Sequence, residues 1–347
     1  MSVDPEGRVS GHDAGDTLVR RLLRLFPGAQ LVGDRTHRYP DFDLVPLELL
    51  DAESTLLINM DVIDSVPAWR VMRGATAKPK IMNFVWWDAT RYDESVEMAE
   101  LALSCALFPT FANSERTIRA IADSVRRWTV KPLAERAKIG GVNLGIRLEH
   151  VQPRSEPATP VVLYPAIYVS PRKQPNLFID VVSRVVKRTP LLVEARLSEA
   201  HLVSEPAMRL SRERWAKVGP LMPSRSDYWK ALAKTTAFLA TADEESYGLE
   251  YIEALVSGAI GVFPNKDWAR AILPEGYPYL YQTPAQAEEL LYKVVTQTEA
   301  CRRELDAAAG GDFIGWLRDH HNDDNFESAI AEHVTRWFGP VETANLQ

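Results

Sequence analysis

The chain has only two cysteines in 347 residues, Cys105 and Cys301. They lie far apart and match no metal or redox spacing, which leaves buried thiols as the expectation. Also missing is an apolar run long enough to span a bilayer. The longest candidate, residues 101–112, is interrupted by Ser104 and Pro109. The first sixteen residues are polar and acidic and show no signal-peptide pattern. A surplus of positive charge is absent too: the net charge is −7, which argues against a protein that coats nucleic acid generically. No internal repeat or low-complexity tract stands out. These absences lead to the expectation of a soluble, cytoplasmic protein, and a composition of 46% hydrophobic and 25% charged residues is ordinary for that class. The length is large for one core and predicts two domains.

What is present has a clear rhythm. Residues 152–160, Q-P-R-S-E-P-A-T-P, hold three prolines in nine positions and read as a linker, because proline suits neither a helix interior nor a central strand. Before it, helices are predicted over 17–26, 94–105 and 114–127, with Ser114 as an N-cap, and strands over 29–32, 55–59, 80–86 and 106–111. After it, strands are predicted at 161–164, 167–169, 190–194, 237–240 and 259–263. Helices are predicted at 176–187, 227–233, 284–296, 299–308 and 325–338. Strands alternating with helices imply doubly wound α/β domains, whose ligands sit at the carboxyl ends of the strands.

The most informative stretch is E-S-Y-G-L-E-Y-I-E-A-L-V-S-G, from Glu245 to Gly258, followed at once by a strand pattern. Glu245 falls on the loop entering a helix, and Glu253 about two turns inside it. Gly248 allows backbone N–H groups at the helix start to approach a ligand closely, the arrangement that receives phosphates. Gly258 suits a left-handed helix cap. Upstream, Ser170-Pro171-Arg172-Lys173-Gln174 precedes a helix, and Arg172 and Lys173 supply forked and compact cations of the kinds that bind phosphate.

The string resembles the donor-sugar motif of retaining GT-B glycosyltransferases. The resemblance implies an α/β GT-B fold of two Rossmann-like domains with an interdomain cleft: an acceptor domain over 1–152, a nucleotide-sugar domain over 160–322, and a terminal helix, 323–340, packing back on the first domain. It further implies that Glu245 contacts the transferred sugar, that Glu253 binds the ribose, and that Ser246, Tyr247, Gly248 and Leu249 line the donor. Lys173 matches the lysine that neutralises the leaving diphosphate. The family's arginine falls near Tyr168, so either Arg172 substitutes for it or part of that charge is missing here. Similarity extends through Tyr228-Trp229-Lys230, Phe263-Pro264-Asn265, Ile272-Leu273-Pro274 and Tyr279-Leu280-Tyr281. It is nearest there to tRNA-queuosine mannosyltransferase-like proteins, whose carboxylate before Ile272 is Ala271 in this chain. The donor implied is a UDP- or GDP-sugar, treated as a substrate, with no cofactor and no metal.

The acceptor side is sparser. Trp86 and Trp87 are adjacent in a predicted strand, where side chains alternate, so one of them is a candidate stacking platform facing the cleft, the alternative being core or interface packing for both. Asp88 is a candidate to orient an acceptor hydroxyl, and His12 and Asp13 lie in the acidic loop before the first helix. Residues 113–147 carry eight Lys/Arg, Arg126 and Arg127 among them, against three Asp/Glu. That surplus is either a solvated helix face or a docking surface for an anionic acceptor such as a nucleic acid with a modified base. Asp41-Phe42-Asp43 has the spacing of a metal-binding carboxylate pair but sits beside Pro40 and is expected to be a loop. Two alternatives remain open: a GT-B-like nucleotide-sugar epimerase or hydrolase, and a catalytically silent nucleotide-binding module.

Overall fold

The structure, a computed structural model, describes residues 3–10, 14–89 and 92–340. The chain divides into two compact units, Met1–Leu144 with Asp324–Gln347, and Gly145–Asp323. Among the described residues, no helix is long and apolar enough to cross a membrane.

In the first unit, β1 (Gln30–Val32), β2 (His37–Arg38) and β3 (Asp43–Val45) form a small sheet in the order β1-β3-β2. The main sheet is parallel, β4 (Leu56–Asn59), β5 (Lys80–Val85), β6 (Thr110–Ala112) and β7 (Ile139–Gly141), in that order. Ile81 to Val85 are all buried, as a continuous apolar run in a parallel sheet requires. The polar exception, Asn83, is satisfied: it accepts from Ser65 Oγ at 2.5 Å and donates to the Ser104 carbonyl at 3.1 Å and Thr110 Oγ1 at 3.2 Å. Ser114 caps the helix Glu115–Trp128 by accepting from the Thr117 N–H at 3.1 Å. The last helix, Asp323–Phe338, covers this sheet with Phe326, whose ring lies 5.9 Å from both Phe84 and Phe111.

The expected strand at 106–111 begins later. Leu101, Ala102, Cys105 and Ala106 are buried at helical spacing, so the helix Ser95–Leu107 runs on until Pro109 prevents continuation, and β6 starts at Thr110. The helix Ser65–Arg73 is an addition to the expected elements; its Pro67 lies in the first turn, where the missing N–H costs nothing. Asp43 opens β3, and its carboxylate accepts from Arg38.

The second unit is a six-stranded parallel sheet: β8 (Val161–Tyr164), β9 (Leu192–Leu197), β10 (Ala216–Pro220), β11 (Ala237–Leu239), β12 (Ile260–Pro264) and β13 (Leu280–Tyr281). Their spatial order is β10-β9-β8-β11-β12-β13. The chain therefore steps outward from β8 to β9 and β10, then returns to the other side of β8 and continues outward. β11 and β12 are buried throughout. The expected strand at 167–169 is instead a bend, held where the Ile167 carbonyl accepts the Ser198 N–H at 2.7 Å. β10, half-exposed at the sheet edge, alternates only over Ala216-Lys217-Val218 before Gly219 and Pro220, and was not foreseen.

Candidate functional site

The direction of winding reverses between β8 and β11, and in open α/β sheets that is where ligands bind. The loops leaving these two strands hold the principal candidate residues. After β8, Pro171–Lys173 makes one 3-10 turn, Gln174 takes the left-handed conformation (φ 46°), and a helix starts at Pro175. After β11, residues 240–248 lead into the helix Leu249–Val256. The loops are tied together by Thr241 Oγ1, which donates to the Lys173 carbonyl at 2.7 Å, and by the Asp243 N–H, which donates to the Arg172 carbonyl at 2.8 Å. Lys266, just past β12, donates to Asp243 Oδ1 at 2.7 Å and braces the same loop.

Lys173 is the electrostatic centre. It is buried, and its ammonium donates to Glu245 Oε1 and, at 2.8 Å, to Glu250 Oε1. The rings of Tyr168 and Tyr251 lie 5.5 and 5.7 Å from its Nζ. Burial by itself works against the ammonium, but Glu250 and Glu245 outweigh it and raise the Lys173 pKa. Two carboxylates share this one ammonium, so the trio carries surplus negative charge in a site with little water. That surplus falls on Glu245, whose pKa is pushed up to about 7, by burial first and Glu250 second, against the pull of Lys173 and Tyr251. Tyr251 donates its hydroxyl to Glu245 Oε1 at 3.0 Å. Arg172, on the same turn, is exposed.

Gly248 sits at the helix start with φ 84°, and a Cβ there would lie 2.5 Å from Tyr251 Cδ2, so no other residue fits without strain. At the far end, Gly258 closes the helix with φ 85°: its N–H donates to Leu255, and the Ala259 N–H to Ala254. Glu253, almost wholly buried, uses both oxygens: Oε1 accepts from Arg225 Nη2 at 2.6 Å and Oε2 from the Tyr228 hydroxyl at 2.7 Å. Tyr247 donates its hydroxyl to His321 Nδ1 at 2.5 Å, while His321 Nε2 donates to the Ile272 carbonyl at 3.1 Å. Those two bonds fix the tautomer and keep the ring neutral; burial lowers the His321 pKa to about 4, against the bond to Ile272. Ser246 and Leu249 flank this pair, both half-buried.

Sequence reasoning missed four of these partners. Glu250 and Tyr251 stood inside the quoted motif without a role, whereas Arg225 and His321 lie 28 and 74 residues from the groups they hold. Tyr164, at the end of β8, is a further omission. Its buried hydroxyl has no hydrogen-bond partner among the described residues, and the charges of Lys173, Glu250 and Glu245 all act on it.

The candidates of the first unit are more scattered. β5 ends at Val85, so Trp86 and Trp87 follow the strand. Trp87 is buried and meets Tyr92 edge-on at 5.4 Å, while Trp86 is half-buried against the same core. Asp88 is half-buried. Arg126 and Arg127 are exposed in the last turn of their helix, Arg126 paired with Asp123 and Arg127 stacked 5.9 Å from the Trp128 ring. Cations are favoured there by the helix dipole alone. His12 and Asp13 lie outside the described residues.

No known protein-family model matches the chain. Solved structures do resemble it. Sucrose-phosphate synthase from Thermosynechococcus elongatus aligns over 97% of this chain and 98% of its own, with 10% identity and a TM-score of 0.61. HepE from Anabaena, solved with UDP-glucose, aligns over 79% of this chain and 76% of its own, with 15% identity and a TM-score of 0.60. TarM from S. aureus, solved with fondaparinux, alpha-GlcNAc-glycerol and UDP, matches 77% of this chain at 14% identity and a TM-score of 0.59. The chain spans only about half of TarM, 53% of its length. At such identities the likeness concerns architecture, and together with the two parallel α/β units it establishes that this chain has the GT-B fold.

Proposed function

We propose that the chain is a retaining glycosyltransferase that moves a sugar from a nucleotide-diphosphate sugar to an acceptor hydroxyl. The observation that carries this reading is the meeting, at the switch point of the second sheet, of Lys173 with Glu245 and Glu250 beside a helix opened by Gly248. A diphosphate placed there meets the ammonium of Lys173, the guanidinium of Arg172 on the same turn, and the N–H groups of a helix start. Lys173 then exchanges a carboxylate for phosphate oxygens, which lets it follow the charge that develops on the leaving group. Glu253 takes the ribose hydroxyls, giving up part of its bonding to Arg225 and Tyr228, and Glu245 orients the sugar. This mechanism uses no metal. The UDP and UDP-glucose of the TarM and HepE structures favour a uridine donor. Two buried, unpaired thiols suit a cytoplasmic setting.

Calorimetry with the bare nucleoside diphosphate and the intact sugar nucleotide tests the roles. Glu253→Gln weakens both by roughly 10- to 150-fold, the worth of one lost charge-assisted bond. Glu245→Ala cripples transfer yet leaves diphosphate affinity nearly unchanged. If the Glu253 variant binds the bare diphosphate as wild type does, the motif has been misread. The anomeric configuration of the product, read by NMR, tests retention, and sugar release without any acceptor points to an epimerase or hydrolase.

For the acceptor, the resemblance to tRNA-queuosine mannosyltransferase-like proteins favours a modified base in RNA or DNA, and the exposed Arg126 and Arg127 support it. Replacing both with Glu then impairs transfer, spares donor hydrolysis and flattens the dependence on salt. Unchanged acceptor kinetics redirect the search to a small hydroxylated acceptor.

A further inference from the structure

The first unit holds a cavity of about 1010 Å³ between β1 and β4, at the large end of ligand pockets, which run to about 1,000 Å³. Its walls are apolar: Leu22 and Phe26 from the first helix, Leu31 and Val32 from β1, Ile58 from β4, Val71 from the helix Ser65–Arg73. Its polar side chains gather at the two ends of β4, with Ser54 and Lys80 near the start of the strand and Asp61 and Asp64 past its end. β4 reads Leu-Leu-Ile-Asn, the pattern of a strand buried on both faces, yet none of the four residues is buried. β5 is its only strand partner among the described residues. Val32 and Val71 on the rim are 45% and 39% exposed. Partly exposed apolar surface gathered around one cavity marks a binding site rather than chance exposure.

We propose that this cavity binds an elongated apolar molecule, an alkyl or isoprenoid chain with a small uncharged polar end, in a site separate from the nucleotide-sugar site of the second unit. The lining excludes the alternatives. A nucleotide or a free sugar needs several convergent donors and cations, and among the described residues Lys80 is the one basic side chain in the wall. An anionic head at the far end meets Asp61 and Asp64 and is repelled, whereas a hydroxyl there has carboxylates to donate to. The apolar middle gives affinity that grows with chain length, and the polar ends fix orientation.

Isothermal titration of the whole chain with octanol, decanol and dodecanol, without any nucleotide sugar, tests this. Each added methylene that is buried tightens binding about fourfold, the equivalent of ~0.8 kcal/mol. Val32→Glu and Val71→Glu, at rim positions exposed enough to tolerate charge, reduce dodecanol affinity at least tenfold while leaving circular dichroism and UDP binding unchanged. Val32→Trp, which narrows the mouth of the cavity without adding charge, does the same. Leu107→Glu, an exposed apolar residue outside the cavity, has no effect. Affinity that does not rise with chain length, or that survives both rim variants, overturns the proposal. Sedimentation showing a dimer that Val32→Glu dissociates overturns it as well, because a second copy then covers β4. Since the readout needs no donor, failure here leaves the glycosyltransferase reading standing, and the reverse also holds.

Discussion

β11 lies between β8 and β12, and each of its residues is buried; β4 closes one side of its sheet, and none of its residues is. Both strands are short and largely apolar. The difference lies in what surrounds them. β11 has a hydrogen-bonded neighbour on each side and the helix Pro284–Thr296 packed against it, and its side chains leave water completely. Among the described residues β4 has one strand neighbour, and the cavity separates its open edge from β1. The second unit thus spends its apolar surface on its own core and keeps charged groups for the switch point, whereas the first leaves apolar surface unsatisfied beside a strand edge. Exposed strand edges normally carry charge or proline, and β4 carries neither.

The sharpest test of that contrast is a matched pair of truncations. Phe238→Ala in β11 costs about 3–5 kcal/mol by chemical denaturation, and Ile58→Ala in β4 roughly 1–2 kcal/mol, because Ile58 is only partly removed from water. Equal losses mean that β4 is covered in solution. Next in size is Lys173→Met, which leaves Glu245 and Glu250 facing each other without their cation. It destabilises by roughly 2–4 kcal/mol, and adding Glu250→Gln restores part of that. A similar change at exposed Arg126 does neither.

The pH response distinguishes the switch-point charges from the loop anchor beside them. Glu245 has a folded pKa of about 7 against 4.5 for the free group, so the folded state holds the extra proton. Its contribution is full below pH 4.5 and is lost as pH rises to 7. His321, lowered to about 4 from 6.5, contributes fully above pH 6.5 and loses that as pH falls toward 4. In the wild type the two slopes oppose each other between pH 4.5 and 6.5. Glu245→Gln leaves stability rising with pH across that window, and His321→Gln leaves it falling; midpoints of urea unfolding at several pH values report both. The smallest effect belongs to the first unit's surface. Arg126→Ala changes stability by no more than about 0.5 kcal/mol, since its pairing with Asp123 is solvent-exposed.

Much of the scaffold was legible because its signals are local. Ser114 precedes its helix by one residue, Gly248 and Gly258 stand at the two ends of theirs, and an apolar run followed by proline or glycine announces a buried strand. Pro109 shows where such reading slips: helical and strand patterns overlap at residues 104–108, and only burial of Cys105 and Ala106 on one helix face decides between them. The edge strand β10 was illegible for another reason, since its alternation lasts only over Ala216-Lys217-Val218 before Gly219 and Pro220 break it.

By itself the sequence determined the α/β character, the positions of most strands and helices, and the clustering of Glu245, Gly248 and Glu253 around one helix, because each follows from spacing within a few residues. The tertiary structure decided the partners. That Lys173 meets Glu250 as well as Glu245, that Arg225 and Tyr228 hold Glu253, and that His321 anchors Tyr247 all depend on strand order, which brings distant loops to the same sheet edge. It also decided the fate of β4. Hydrophobicity states that a strand gains by leaving water, but whether a neighbour exists to exclude that water is a property of the assembled sheet.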